Sequence, residues 1–206
     1  MGIIVSFAYI YTLLVISQVL RVKNVEYSRK FVHIFSANWW LICMHYFENI
    51  QEPLFVTSCF LVVNIINYKI PIFSSIKRHE KKQFGEIFYS LTLIILVLVS
   101  YYYNDLQIGL VGVLVMGYAD GFAAIIGTKF PYGKYSIYNN TKTLAGSATF
   151  FIIAFFVLTI ITASQNYIAL IAAALILTII EAISRFGFDN ILVPLVASGC
   201  YFLIIY

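Results

Sequence analysis

A single aspartate, Asp120, stands among small residues in the apolar run Gly117-Tyr-Ala-Asp120-Gly121-Phe-Ala-Ala124-Ile-Ile-Gly127. A polar stretch with Lys129, Lys134 and Lys142 follows at once and closes in Lys142-Thr143-Leu-Ala-Gly146-Ser147. A carboxylate inside a membrane segment costs about 2.5 kcal/mol or more on insertion scales, so a chain that keeps one there uses it for an ion, a proton or a substrate. Gly117, Asp120, Gly121 and Ala124 follow the i, i+3, i+4, i+7 spacing of one helix face. Such a small-residue face lets a second helix or a ligand approach the backbone closely. The plain alternative is a packing seam in which Asp120 is merely hydrogen-bonded.

Other polar residues gather toward the same end of their apolar segments. His33 follows Arg29-Lys30, Glu86 follows Gly85, and Lys142-Thr143 precede Gly146-Ser147. Glu181 and Ser184 close one segment and Asp189-Asn190 open the next. Taken singly, each has an ordinary reading: Asp189 suits a helix N-cap and Glu86 a helix N-terminus. Taken together, they put several carboxylates, one histidine and lysines around one pocket. That mixture suits phosphate chemistry. Carboxylates hold Mg²⁺, which keeps waters and binds substrate phosphates. Lysines and the backbone amides of a glycine-rich loop neutralise phosphate oxygens. An acidic residue can accept the proton of an attacking hydroxyl. Neither GxxxxGK[ST] nor a strand-borne GxGxxG is present, so a nucleotide site here is of another kind.

The elements that must position these groups are membrane spans. Of 206 residues, 62% are hydrophobic and 11% charged, against about 25% charge in soluble domains. Eight apolar segments are expected at 3–20, 32–47, 53–68, 86–103, 106–128, 143–163, 167–184 and 189–206. Each approaches the length that crosses a ~30 Å hydrocarbon core. The predicted fold is therefore all-α, a polytopic integral membrane helical bundle of about eight transmembrane helices, with seven as the alternative, in one domain over 1–206. All 13 Lys and Arg fall in alternate connections, whereas Glu48–Glu52, Asn104-Asp105 and Ser164–Asn166 hold none. The positive-inside rule then makes the basic connections cytoplasmic and puts both termini outside. Asp120 lies beyond the middle of its span, toward the cytoplasmic end. The stretch 70–84 mixes Phe73, Ile76 and Phe84 with many cations and reads either as an interfacial helix or as a solvated basic loop. Nucleic acid is excluded as a partner, since it needs a solvated basic face. Cys43, Cys59 and Cys200 lie in apolar segments without CxxC spacing and read as core residues. The N-terminus lacks the features of a cleaved signal peptide.

The chain resembles the CTP-dependent polyprenol and lipid kinases, the family of dolichol kinase, phytol kinase and the CTP-dependent diacylglycerol kinase. The resemblance rests on Arg29-Lys30-x-x-His33, on Asp120-Gly121 through Gly127, on Lys142-Thr143-x-x-Gly146-Ser147, and on Glu181 through Asp189-Asn190 to Pro194. It implies Mg²⁺-dependent transfer of a phosphate, usually from CTP, to the hydroxyl of a membrane lipid alcohol at the cytoplasmic face. It implies Asp120, Lys142 and His33 as catalytic residues. Lys30, Gly121, Gly127, Lys129, Lys134, Thr143, Gly146, Ser147 and Asn190 would bind the nucleotide, and Asp120, Glu181 and Asp189 the metal. Which carboxylate is base and which is ligand stays open, as do the acceptor and the oligomeric state. Ala119 replaces the glycine expected before the aspartate, and the chain is short; both favour the smaller, phytol-kinase-like branch. The alternatives are a cytidylyltransferase making a CDP-lipid and a small transporter with Asp120 as its coupling site.

Overall fold

The computed structural model describes residues 1–21, 25–70, 84–137 and 140–206, and is helical apart from one short hairpin. In order come α1 (Gly2–Arg21), α2 (Val25–Ser36), α3 (Trp39–Tyr46), α4 (Gln51–Lys69), α5 (Gly85–Tyr102) and α6 (Leu106–Leu114). A π-turn (Val115–Asp120) joins α6 to α7 (Gly121–Lys129). Strands β1 (Lys134–Ile137) and β2 (Asn140–Thr143) precede α8 (Leu144–Thr162), α9 (Tyr167–Ile183) and α10 (Asp189–Ile205). The core of the expected interfacial segment, 71–83, lies outside the described residues.

Four stretches are long and apolar enough to cross a membrane: α1, α5, the α6–α7 rod over Leu106–Lys129, and α8. By length and composition they fit a membrane protein. Helices α9 and α10 are equally apolar but have 17 residues each. The rod is the axis of the bundle, because 72% of its most apolar window is buried, against 17% for α1 and 22% for α8. The peripheral helices turn Ile4, Val15, Val19, Phe156 and Ile160 outward, the face that lipid would cover. One apolar cluster joins the rod to α8, α9 and α10 through Val111, Ala119, Phe150, Leu170 and Leu177. A second joins it to α3, α4 and α5 through Trp40, Cys43, Val56, Leu96 and Val113.

The expected second span, 32–47, is not one helix. Helix α2 begins earlier, at Val25, and the chain breaks at Ala37-Asn38 before the eight-residue α3. Across the break the bonds tighten to i−3, as in Trp40 N–H to the Ala37 carbonyl at 3.2 Å. The cause is the pair Trp39-Trp40, both fully buried. Trp39 Nε1 donates to Ser6 Oγ on α1, and Trp40 Nε1 to the Leu106 carbonyl, each at 2.9 Å. The Trp40 ring occupies the space over Gly109, where an added Cβ would come within 1.9 Å of it.

Candidate active site

The π-turn ends on Asp120, and α2 packs across it. This contact exists because the facing residues are small. A Cβ at Gly117 would meet Ala37 at 2.5 Å, and one at Gly121 would meet Ile34 at 2.2 Å. The close approach brings Lys30 and His33, one turn apart on α2, onto the aspartate. Lys30 Nζ donates to Asp120 Oδ2 at 2.7 Å, and His33 Nε2 lies 3.1 Å from the same oxygen. His33 Nε2 also lies 3.1 Å from the Met116 carbonyl inside the π-turn. With two oxygen acceptors before it, Nε2 must carry a hydrogen. The wider π-turn presents that carbonyl sideways, a use of π-bulges that recurs at functional sites. The Lys30, His33 and Asp120 side chains are all largely buried.

A second ion pair forms around the hairpin. Residues 134–137 pair antiparallel with 140–143, setting Tyr135 against Lys142. The hairpin base is closed by Leu144 N–H donating to the Gly133 carbonyl at 3.1 Å, with Gly133 at φ +64°. Thr143 then caps α8, its Oγ1 accepting from Gly146 N–H at 3.0 Å. Held this way, Lys142 Nζ donates to Glu181 Oε1 near the end of α9 and to the Glu181 carbonyl at 3.1 Å. Burial opposes the charge on Lys142, but the adjacent Glu181 carboxylate outweighs it and raises the ammonium pKa above its ordinary value. The other carboxylate oxygen, Glu181 Oε2, is buried without a hydrogen-bond partner among the described residues. A buried carboxylate oxygen left in that condition is costly unless something else meets it.

The turn Ser184–Phe188 completes the site. Gly187, at φ +90°, touches the backbone of Gly85, and Phe84 N–H donates to the Phe186 carbonyl at 3.2 Å. This seats the start of α10 beside the start of α5. Asp189 Oδ1 accepts Asn190 N–H at 3.1 Å, and Thr92 Oγ1 donates to the Asn190 carbonyl at 2.7 Å. Asp120, Lys142, Glu181 and Asp189 lie within electrostatic reach of one another.

These groups line one cavity of about 660 Å³. It brings together Lys30, His33, Asp120, Gly127, Lys142, Thr143, Gly146, Ser147, Glu181, Asp189 and Asn190. It does not include Gly121, which packs under Ile34. Nor does it include the exposed Lys134, or Lys129, whose ammonium stands 5.4 Å from the Phe130 ring. Gly127 and Gly146 face each other at the α7–α8 crossing, and a Cβ on Gly127 would come 3.4 Å from the Gly146 Cα. Two early amides of α8 are already bonded, Leu144 N–H to Gly133 and Gly146 N–H to Thr143. An anion at this loop would therefore be met mainly by side chains. The cavity also exposes Arg29, Arg185, Ser36, Tyr89 and Asn64, which the sequence reading does not assign to the site. Arg185 has a visible signal, a cation in a short turn between two apolar segments. Tyr89 and Asn64 have none, since one polar side chain in an apolar helix reads as packing.

Among the described residues no three His, Cys, Asp or Glu side chains stand ready to hold a metal ion together. That suits a cation held by one or two carboxylates plus substrate phosphates, as Mg²⁺ usually is. The open oxygen of Glu181 and the nearby Asp189 carboxylate fit such a role.

The chain is similar to curated proteins of one name. It is 28% identical over 189 residues to the phytol kinase of Synechocystis sp., covering 85% of this chain and 78% of that one. It is 28% identical to the probable chloroplastic phytol kinase of Triticum aestivum, covering 89% of this chain and 69% of that one. Against the chloroplastic phytol kinase 1 of Arabidopsis thaliana the identity is also 28%, over 71% of this chain and 52% of that one. No family model matches the chain, and no solved structure does.

Proposed function

We propose that this chain, a member of the phytol and polyprenol kinase family, transfers the terminal phosphate of CTP to the hydroxyl of an isoprenoid alcohol at the cytoplasmic membrane face. The observation that carries this reading is the pairing inside the cavity: Lys30 and His33 on Asp120, and Lys142 on Glu181. The two pairs have different uses. Lys30 and His33 fix the orientation of Asp120, so that it can accept the proton of the acceptor hydroxyl as the oxygen attacks phosphorus. Their contacts both fall on Oδ2, which leaves the Oδ1 side for the substrate.

The Lys142–Glu181 pair is a closed form of a phosphate–metal site. A nucleotide with its cation presents negative oxygens to Lys142 and a positive ion to Glu181. Each side chain then exchanges one partner of opposite charge for another. Glu181 and Asp189 would hold Mg²⁺, which neutralises charge on the phosphates during transfer. Lys142 takes up phosphate oxygens as a point charge. Arg29 and Arg185, also on the cavity wall, extend the positive rim. The basic connections support a cytoplasmic position for this end of the bundle, which would give the site access to the nucleotide.

Product analysis tests the reading. Purified protein incubated with CTP, Mg²⁺ and phytol or geranylgeraniol should release CDP in step with a monophosphorylated lipid. Release of pyrophosphate with a lipid phosphate such as phosphatidate, and no CDP with the alcohols, would identify a cytidylyltransferase and overturn it.

A further inference from the structure

The cavity has a second arm that the phosphate chemistry does not use. Below Lys30 and His33 it is walled by Ile10 and Leu14 of α1, by Phe60, Val63 and Asn64 of α4, and by Leu93 of α5. Ile10 and Leu14 are four apart, and Phe60, Val63 and Asn64 are spaced i, i+3, i+4, so each set is one helix face. Helices α1 and α4 touch at one end of this arm. There the Phe7 and Phe60 rings lie 6.0 Å apart edge to face, and Trp39 stacks edgewise on Phe60 at 5.7 Å. These three rings close the floor. Nearer the site both helices turn side chains to the cavity, Ile10 and Leu14 from one and Val63 and Asn64 from the other. Val63 lines the cavity there and still keeps 43% of its surface exposed, as a residue on the rim of an opening does. On the membrane-facing side of the same helix, Val62 and Ile66 are exposed as well.

We infer that the gap between α1 and α4 is a lateral slit that admits the tail of the isoprenoid alcohol from the bilayer and guides its hydroxyl to Asp120. This inference rests on the kinase reading for the identity of the ligand, but not for the existence of the slit. Three features argue for a lipid tail as occupant. The arm is apolar where the site is charged, and the two are one continuous cavity. The floor of Phe7, Phe60 and Trp39 stops a tail from running straight down through the bundle, so a long tail must leave sideways. At the junction of the arms stand Tyr89 and Ser36, whose Oγ lies 3.1 Å from the His33 carbonyl and 3.0 Å from Tyr89 OH. The carbonyl can only accept, so Ser36 donates to it and Tyr89 OH donates to Ser36, which leaves the Tyr89 oxygen to accept from an alcohol hydroxyl arriving there. The slit holds the first part of the tail and leaves the remainder in lipid, so the site senses the head of the alcohol more than its full length.

A photoreactive probe tests this without requiring turnover. The full-length protein in detergent is irradiated with a phytol analogue carrying a diazirine in the first isoprene units, and adducts are mapped by mass spectrometry. Adducts on Ile10, Leu14 or Val63 support the slit. Adducts confined to outward faces of other helices, or none, overturn it. Val63→Trp and Leu14→Trp should each cut the adduct yield roughly tenfold by overfilling the gap. Val62→Trp, on the exposed face, should leave the yield as in the parent. Equal yields in all three would also overturn the slit. Slit adducts without phosphorylation of any alcohol would keep the slit and reject the kinase reading. Phosphorylation with adducts elsewhere would do the reverse.

Discussion

Asp120 meets Lys30 and His33 through one oxygen, and this decides what its replacement should do. Asp120→Asn keeps the shape of the side chain and removes the charge that Lys30 and His33 surround. A positioned proton acceptor contributes roughly 10²–10⁴-fold, so turnover should fall by at least the lower figure while the protein still elutes as one species. Full activity in this variant would remove Asp120 from the chemistry. The Lys142–Glu181 pair predicts an asymmetry instead. The Glu181 side chain is 6% exposed and that of Lys142 19%. Lys142→Met leaves a deeply buried carboxylate, whereas Glu181→Gln leaves a lysine that can still reach water. Breaking a buried pair costs about 3–5 kcal/mol. Lys142→Met should therefore lower the melting temperature more than Glu181→Gln, and the double variant should lose less than the sum. Because the folded pKa of Lys142 is raised above 10.5, its contribution is fully present below that value and is lost as pH rises through the folded value. The difference in melting temperature between parent and Lys142→Met should therefore be present at about pH 9 and shrink as the pH rises above about 10.

At the scale of elements, the site depends on how closely α2 can lie on the π-turn. Gly121→Val should push Ile34 and α2 away from Asp120. Overpacking of this kind costs about 1–3 kcal/mol, and here it should lower both melting temperature and activity. Gly199→Ala, with nothing within 4 Å of the added Cβ, should lower neither. Much of this level is legible in the sequence. The spacing of Gly117, Asp120 and Gly121 marks a close-packing face, and Lys30 and His33 sit one turn apart as partners for it. Three features are not legible. The π-turn changes backbone hydrogen bonding without a composition signal. The break at Ala37-Asn38 comes from the distant demand of Ser6, Leu106 and Gly109 for two adjacent buried tryptophans. The hairpin strands have four residues each, too short to show alternation. Pairing is also hidden. Lys142, read from sequence as a phosphate contact, rests on Glu181, a partner that only the α8–α9 packing brings near. Lys129 and Lys134 carry the same charge yet do not line the cavity: Lys129 ends α7 beside Phe130, and Lys134 is exposed on β1 opposite Thr143.

At the scale of the whole molecule, charge placement and cavity location make one joint claim. The hairpin, the turn Ser184–Phe188 and the start of α5 surround the same end of the bundle, and the connections there carry the basic residues. Ser136 on β1 and Asn49 in the α3–α4 connection are both exposed, at opposite ends. In a background without the three native cysteines, Ser136→Cys should react with an impermeant maleimide only from the cytoplasmic side. Asn49→Cys should react only from the other side. Labelling of both from one side would contradict the topology and the placement of the nucleotide site. The proposed α1–α4 slit would add a second access route from the bilayer, so that donor and acceptor would reach Asp120 from different phases.

The most direct measurement is transfer itself. Purified protein is given CTP labelled in its terminal phosphate, Mg²⁺ and phytol or geranylgeraniol in mixed micelles, with Asp120→Asn beside it. The account predicts label in the extracted lipid for the parent, dependent on Mg²⁺, and little or none for the variant. Absence of labelled lipid from the parent with CTP and with every other nucleoside triphosphate, across a range of Mg²⁺, would contradict it.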